Sequence, residues 1–115
     1  MLPHRTQPFP TKGERDQYET NVKGTQILLT AASESSSCKA LVFTSTMDIF
    51  ADPPLYNVDE SHPLWTSSPS KVWAYGRTKA MADEIVRAAN GPNLSTTSLI
   101  VTHLYGARDT QIFPH

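Results

Sequence analysis

A phenol and an ammonium four residues apart are the groups of this sequence best suited to proton transfer. Tyr75 and Lys79 lie in a run of helix-forming residues, where this spacing places both side chains on one face. A tyrosine with a pKa of about 10 exchanges protons near neutral pH only when a neighbouring group stabilises its phenolate, and the Lys79 ammonium can do so. The same spacing is common between exposed residues on helices. The pair alone is therefore equally consistent with an ordinary surface contact.

A group of hydroxyl side chains upstream favours the catalytic interpretation. The apolar run Lys39–Phe43 stops at Thr44, Ser45 and Thr46. A buried parallel strand stops in this way when it reaches a site at the carboxyl edge of its sheet. Hydroxyl, phenol and ammonium therefore form one candidate site.

Five short motifs follow one another in a recognisable order. They are Asn21–Thr25, the strand that ends at Thr46, Asn57–Pro63, the pair Tyr75-x-x-x-Lys79, and Leu104–Asp109. Their order and spacing resemble the extended short-chain dehydrogenase/reductases. The closest resemblance is to the 3-beta-hydroxysteroid dehydrogenase/isomerase branch, and within it to the sterol-4-alpha-carboxylate 3-dehydrogenases. It covers nearly the whole chain, from Tyr18 to Pro114.

This resemblance implies NAD(P)-dependent oxidation or reduction of a 3-beta-hydroxysteroid or sterol, in sterol or steroid-type biosynthesis. Tyr75 would exchange a proton with the substrate oxygen while hydride passes between the sterol C3 carbon and the nicotinamide of NAD or NADP. Lys79 would lower the pKa of Tyr75 and bind the nicotinamide ribose. Thr46 would polarise the substrate oxygen, with Ser45 as the second choice. The implied catalytic residues are Thr46, Tyr75 and Lys79, and the implied cofactor-binding residues are Tyr75, Lys79 and Ser45.

Two departures from the family pattern concern the binding and positioning of the cofactor. Ile100-Val101 stands where the family usually has Arg-Pro, in a segment that helps to position the nicotinamide. No Gly-x-Gly-x-x-Gly turn occurs, although the family places one, with its first four strands, ahead of the region matched here. We therefore expect this chain to be the central part of a longer enzyme, and to bind nicotinamide cofactors weakly or not at all by itself.

A cap and an apolar stripe predict the first helix. Thr11 and Glu14 fit a capping box, and Ser33–Ser37 ends the helix by competing for backbone hydrogen bonds. Gly24 indicates close helix packing or simple tolerance, and Asn21 is interpreted as a structural hydrogen bonder. The stripe recurs at helical spacings and comprises Tyr18, Val22, Thr25, Leu29 and Ala32.

A second helix and two strands complete the predicted elements. Ser68-Pro69 marks the start of the helix and Asn90-Gly91-Pro92 its end. Lys39–Thr46 and Thr96–Tyr105 are predicted strands, and Asp52–Pro69 is a loop expected to line the site. The face that carries Tyr75 is expected to look inward; it comprises Tyr75, Lys79, Ala82, Val86 and Ala89.

The order helix, strand, helix, strand predicts a right-handed parallel crossover unit. The fold class is therefore α/β, a partial doubly wound (Rossmann-like) parallel sheet that lacks the first strands and the glycine-rich turn. We divide the chain into an irregular arm at residues 1–12 and the incomplete second half of an NAD(P)-binding Rossmann-like domain at residues 13–115. The open edge of the sheet is expected to make the isolated chain poorly stable and to promote self-association.

Composition excludes several other classes of function. A net charge of -1 without a basic cluster gives no support for nucleic acid or an anionic membrane as a partner. The resemblance implies a sterol or steroid-like small molecule as the partner. The sequence has neither a membrane span nor a signal segment, and its single cysteine, Cys38, excludes an internal disulfide. These features favour an intracellular, cytoplasmic protein, and members of the resembling family also associate with the endoplasmic reticulum. His62 and His103 lack flanking ligands at useful spacing, so no metal site is predicted.

Two alternatives stay open at this point. One is a truncated, non-catalytic remnant, or an interaction module that binds a related subunit through its open sheet edge. The other is an extended short-chain dehydrogenase/reductase that acts on a nucleotide sugar or another ketone or alcohol, since such enzymes share Tyr-x-x-x-Lys. The motifs Asn57–Ser61 and Gly106–Gln111 favour the steroid branch over the second alternative.

Overall fold

The computed structural model describes residues 11–67 and 74–110. Most of the predicted arm and the predicted helix start at Ser68-Pro69 lie outside these ranges. A long helical segment opens the described chain: α1 (Lys12–Tyr18), a π-helical turn (Glu19–Lys23) and α2 (Gly24–Glu34). The predicted apolar stripe is confirmed, because Val22 and Leu29 are buried and the other stripe residues are partly buried.

Local hydrogen bonds set both ends of this helical segment. At its start the capping box is confirmed: the Thr11 N–H donates to Glu14 Oε2 at 2.8 Å, and the Glu14 N–H donates to Thr11 Oγ1 at 3.2 Å. The helix begins at Lys12, one residue inside the predicted arm. At the other end Ser35 Oγ accepts the backbone N–H of Cys38 at 3.1 Å, which is the competition expected of the serine-rich run.

Gly24 does not mark a close helix contact. A Cβ built on Gly24 would meet only the carbonyl oxygen of Glu19, at 3.8 Å, which is ordinary van der Waals contact. The expectation of close packing was therefore wrong, and the glycine is simply tolerated where the π-helical turn returns to α-helix.

Two strands and one crossover helix form the rest of the described fold. β1 (Ala40–Thr46) leads through a 3₁₀ turn (Met47–Ile49), a loop and a second 3₁₀ turn (Trp65–Ser67) to α3 (Ala74–Ala88). The chain then enters β2 (Ser95–Val101). The strands pair in parallel, as the crossover helix predicted.

The register of the sheet explains where β2 stops. Ala40 lies opposite Ser95 and Thr46 lies opposite Val101. β1 ends at Thr46, so the residues after Val101 have no strand partner there. The predicted strand was too long by the segment 102–105, because a β-branched run extends a strand only where a neighbouring strand accepts its hydrogen bonds.

The core lies between the helices and one face of this sheet. Its apolar residues form two clusters: Leu29, Val86 and Leu94, and Ile49, Phe50, Ala51, Trp65 and Ala80. Asn21 Nδ2 donates to Thr78 Oγ1 at 3.0 Å, which ties the first helical segment to α3 and agrees with a structural role for Asn21. On the opposite face Val42 and Leu99 are 59% and 55% exposed, so the described residues leave that face uncovered.

The loop after β1 folds back over the core. Phe50 and Leu64 form an antiparallel bridge, and the Ala51 N–H donates to the Pro63 carbonyl at 2.9 Å. His62 Nε2 lies 2.9 Å from the Ala51 carbonyl oxygen. These contacts close the loop on itself, and none of its described residues lines the cavity that contains Tyr75. The expectation that residues 52–69 line the site is therefore not met by the described part of the loop.

The described elements form a helix-strand-helix-strand unit around an open parallel sheet. This arrangement is a partial α/β, Rossmann-like fold, as the sequence predicted. No helix within residues 11–67 and 74–110 is long and apolar enough to cross a membrane.

Candidate functional site

A cavity of about 370 Å³ lies at the carboxyl ends of both strands. All four predicted site residues line it: Ser45, Thr46, Tyr75 and Lys79. The parallel register makes this possible, because β1 and β2 end side by side and α3 begins above the same edge. This is the edge at which open α/β sheets bind their ligands.

Tyr75 lies near the rim of the cavity. Its side chain is 36% exposed, whereas Ala82 and Val86 further along the same helix face are fully buried. The expectation that this whole face looks inward holds for the later turns of α3 and fails for Tyr75. Tyr75 lies in the first turn of α3, whereas Ala82 and Val86 lie two to three turns further along the helix.

The ammonium of Lys79 is held against β1 by two contacts. Lys79 Nζ donates to the Thr44 carbonyl at 2.9 Å and lies 4.4 Å from the centre of the Phe43 ring. Burial lowers the pKa of Lys79 below its ordinary value of 10.5, and the Asp83 carboxylate opposes that shift. The two contacts therefore hold the Lys79 side chain in place, while burial makes its protonated form less favourable than in water.

The hydroxyl of Thr46 is engaged by the turn that follows it. Thr46 Oγ1 accepts the Asp48 N–H at 3.2 Å and donates to Asp48 Oδ2 at 3.3 Å. The Ser45 hydroxyl is buried and has no hydrogen-bond partner among the described residues. A hydroxyl has two lone pairs, so Thr46 can still accept one further hydrogen bond from a ligand.

Sequence reasoning missed three residues of this region. Asp48 and His103 line the cavity beside Tyr75, and neither belongs to the motif set. A Cβ on Gly76 would lie 2.4 Å from the Asp48 carbonyl oxygen and 3.0 Å from the Trp65 ring. Gly76 therefore lets the turn after β1 pack directly on α3 beside Tyr75. The sequence offered one signal for Gly76, its place next to Tyr75. That signal did not show that Gly76 is closely packed and Gly24 is not.

The histidines do not form a metal site in the described chain. His62 is hydrogen-bonded to Ala51, and its ring packs edge-on against Phe50 with ring centres 5.8 Å apart. Residues 11–67 and 74–110 contain no group of three or more His, Cys, Asp or Glu side chains placed to hold a metal ion.

Fold and cavity together define an α/β protein with a Tyr-x-x-x-Lys pair at the carboxyl edge of a parallel sheet. The family model of the 3-beta hydroxysteroid dehydrogenase/isomerase family matches residues 7–115. The chain belongs to this family.

Several characterised proteins are similar to this chain. The 4-hydroxy-2-methyl-3-oxo-4-farnesyl-3,4-dihydroquinoline-1-oxide ketoreductase of Stigmatella aurantiaca is 39% identical over 84% of this chain and 28% of its own length. The decarboxylating sterol-4-alpha-carboxylate 3-dehydrogenase of Schizosaccharomyces pombe is 33% identical over 96% of this chain and 32% of its own length. The UDP-glucose 4-epimerase 4 of Oryza sativa is 40% identical over 61% of this chain and 17% of its own length.

The chain spans about a third of the length of the first two relatives. No solved structure matches it.

Proposed function

We propose that this chain supplies the proton-transfer site of an NAD(P)-dependent oxidoreductase acting on a 3-beta-hydroxysteroid or sterol. One observation carries the proposal: Thr46, Tyr75 and Lys79 line a single cavity at the carboxyl edge of the sheet. In this role Tyr75 is the acid/base that exchanges a proton with the substrate oxygen.

Lys79 would act on Tyr75 through its charge. An ammonium beside a phenol favours its phenolate form. The contacts of Lys79 with Thr44 and Phe43 hold its ammonium in place beside the cavity that Tyr75 also lines. Thr46 would bind the substrate oxygen: its hydroxyl donates to Asp48, which lines the same cavity, and keeps a lone pair to accept a substrate hydroxyl.

The residues present fit the nicotinamide end of NAD or NADP. The cavity contains an ammonium and several hydroxyls, which are groups that bind ribose hydroxyls and a carboxamide. When bound, the nicotinamide would accept or supply the hydride. We propose that Lys79 and Ser45 contribute to this binding, although the buried Ser45 hydroxyl would have to turn toward the cofactor. Because the sequence contains no glycine-rich turn for the pyrophosphate, cofactor binding by this chain is expected to be weak.

A second candidate is the reduction of a ring ketone on a different skeleton. The similarity to a ketoreductase over 84% of the chain supports it. The epimerase similarity covers 61% of the chain, which gives less support to a nucleotide sugar. The same residues serve either direction of the reaction, because a group that accepts a proton from an alcohol returns it to a ketone. We further propose a cytoplasmic location, in keeping with the unpaired Cys38.

A chimera with the fission yeast relative tests the proposal. Residues 1–115 would replace the matched segment of that enzyme, and nicotinamide reduction would be followed with a 3-beta-hydroxysterol and with a ring alcohol of unrelated skeleton. We expect turnover with the sterol. A folded chimera that binds NAD or NADP but turns over neither alcohol would support the alternative of a non-catalytic remnant. Turnover of the unrelated alcohol alone would support the second candidate.

A further inference from the structure

A second cavity, of about 410 Å³, lies beside the cavity that contains Tyr75. Met47 and Thr102 line both cavities, so the turn after β1 and the residue that follows β2 form their common boundary. We call the second one the Leu55 cavity. Five of its eight described lining residues are apolar: Met47, Phe50, Leu55, Val58 and Ile100.

The two cavities differ in chemical character. Polar residues predominate in the lining of the Tyr75 cavity, and they include Thr46 and Lys79. In the Leu55 cavity the carboxylates belong to Asp59 and Glu60, which are exposed residues and therefore mark its side that is open to solvent. A molecule that spans both cavities would place an oxygen at one end and an apolar body at the other.

Contacts within the chain hold the wall of the Leu55 cavity in place. Leu55, Val58 and Ile100 pack against a buried apolar cluster of the core. Asp59 Oδ1 accepts the Ser61 N–H at 2.8 Å, which fixes the turn directly after Val58. The wall is therefore formed before a ligand binds, and a preformed apolar site avoids the entropy cost of ordering a loop.

We propose that the Leu55 cavity holds the apolar ring skeleton of the substrate whose oxygen lies at Tyr75 and Thr46. Leu55 and Val58 then determine the preference for a sterol over a small alcohol, because burial of the skeleton against them supplies affinity that a small alcohol lacks. Met47, at the boundary, has an unbranched side chain that adapts to an irregular ligand surface. This inference rests on the proposed function, since the Tyr75 cavity places the reacting oxygen.

Binding is tested on the whole chain with epiandrosterone, a 3-beta-hydroxysteroid, with methyl NMR signals as the readout. We expect saturable shifts at Leu55, Val58 and Ile100. Val42 and Leu99, on the uncovered face of the sheet, are the control for non-specific adsorption, and their signals should stay in place. Shifts at these two residues as large as those in the cavity, or no saturable shift in the cavity, would overturn the inference.

Two variants of the chimera change the volume of the cavity in opposite directions. Val58→Phe fills part of the cavity and should lower kcat/KM for epiandrosterone relative to cyclohexanol by about tenfold or more. Leu55→Ala removes apolar contact and should lower the same ratio by about threefold to tenfold. Tyr56→Ala, at an exposed residue of the same loop that does not line the cavity, is the matched control and should keep the ratio.

The outcomes separate this inference from the proposed function. A folded chimera that turns over neither alcohol contradicts the proposed function and, with it, this inference. An active chimera whose ratio is unchanged by a folded Val58→Phe variant contradicts the inference alone. If cyclohexanol is not turned over, the KM for epiandrosterone is compared in place of the ratio, and if Val58→Phe fails to fold, Leu55→Ala decides in the same way.

Discussion

Tyr75 and Lys79 share one face of α3 but differ in environment, since the phenol lies at the rim and the ammonium is held against β1. Under the proposed function, proton transfer therefore uses a half-exposed phenol beside an ammonium that is held in place by β1. Each residue can be tested separately.

Tyr75→Phe in the chimera is expected to lower turnover by at least about a hundredfold, because the phenol hydroxyl is the group that exchanges the proton. Cofactor affinity should change little, since most of the binding contacts lie on other groups. Turnover and the dissociation constant of NADH are the two measurements. Tyr56→Phe, at a tyrosine that is 80% exposed and outside the cavity, is the control. Full turnover in the Tyr75→Phe chimera would remove Tyr75 from the acid/base role.

Lys79 makes the stability of the chain depend on pH in a predictable direction. Burial lowers its pKa in the folded state, so the unfolded chain binds more protons between that lowered pKa and 10.5. The free energy of unfolding should therefore rise with pH through this window, and the burial penalty is fully present below it.

The Lys79→Met variant should lose this rise, because it has no ammonium to desolvate. Urea unfolding at a series of pH values up to 10.5 measures the difference between the variant and the unmodified chain. Other lysines and the tyrosines titrate in both proteins and cancel in that difference. Lys39→Met, at an exposed lysine, should keep the rise. An identical pH dependence in Lys79→Met and the unmodified chain would contradict the prediction.

The turn after β1 packs closely on α3 at Gly76, and this contact positions the neighbouring Tyr75. The 3₁₀ turn after β1 and the Trp65 ring both touch α3 at Gly76, where a side chain has no room. Gly24 has the same helical backbone and open surroundings, which makes the two glycines a matched pair.

Gly76→Ala should destabilise the chain by about 1 to 3 kcal/mol, because the new methyl would lie 2.4 Å from the Asp48 carbonyl oxygen and force the turn away from α3. Gly24→Ala should stabilise it by about 0.5 to 1 kcal/mol, because alanine loses less backbone entropy in a helix.

Thermal and urea unfolding of both variants give the comparison. Equal effects of the two substitutions would show that the close approach at Gly76 is not maintained in solution.

The described molecule as a whole has a core on one side of its sheet and an uncovered face on the other. Val42, Thr44, Thr97 and Leu99 lie on that face, and both strands have an unpaired outer edge within the described residues. Exposed apolar surface next to open strand edges favours association with other chains.

We expect the purified chain to self-associate as its concentration rises. Leu99→Lys places a charge on the uncovered face without touching the core, and should weaken association while leaving the fold intact. Sedimentation velocity measures the association, and circular dichroism checks the fold. Glu34→Lys, an exposed change outside the sheet, is the control. A monomer at all accessible concentrations, with a sharp cooperative melt, would show that the uncovered face needs no partner.

The sequence by itself determined the features that depend on near neighbours along the chain. The Thr11–Glu14 capping box, the end of α2 in a serine-rich run and the parallel order of the strands were all predicted correctly. Residues within one turn encode the capping box and the helix end, and the helix between the two strands is the connection that parallel strands require. The motif order also predicted that Thr46, Tyr75 and Lys79 meet, and all three line one cavity, because β1 ends at Thr46 and the crossover helix α3 begins beside that end.

Only the tertiary structure decided what surrounds those residues. It separated Gly76, which is packed against Trp65 and the Asp48 backbone, from Gly24, which is not, although both are glycines inside predicted helices. It also ended β2 at Val101 and left Asp83 Oδ2 buried without a hydrogen-bond partner among the described residues. Each outcome depends on groups that are far apart in the chain and come into contact only when the sheet and helices pack. A periodic sequence pattern does not specify such long-range contacts.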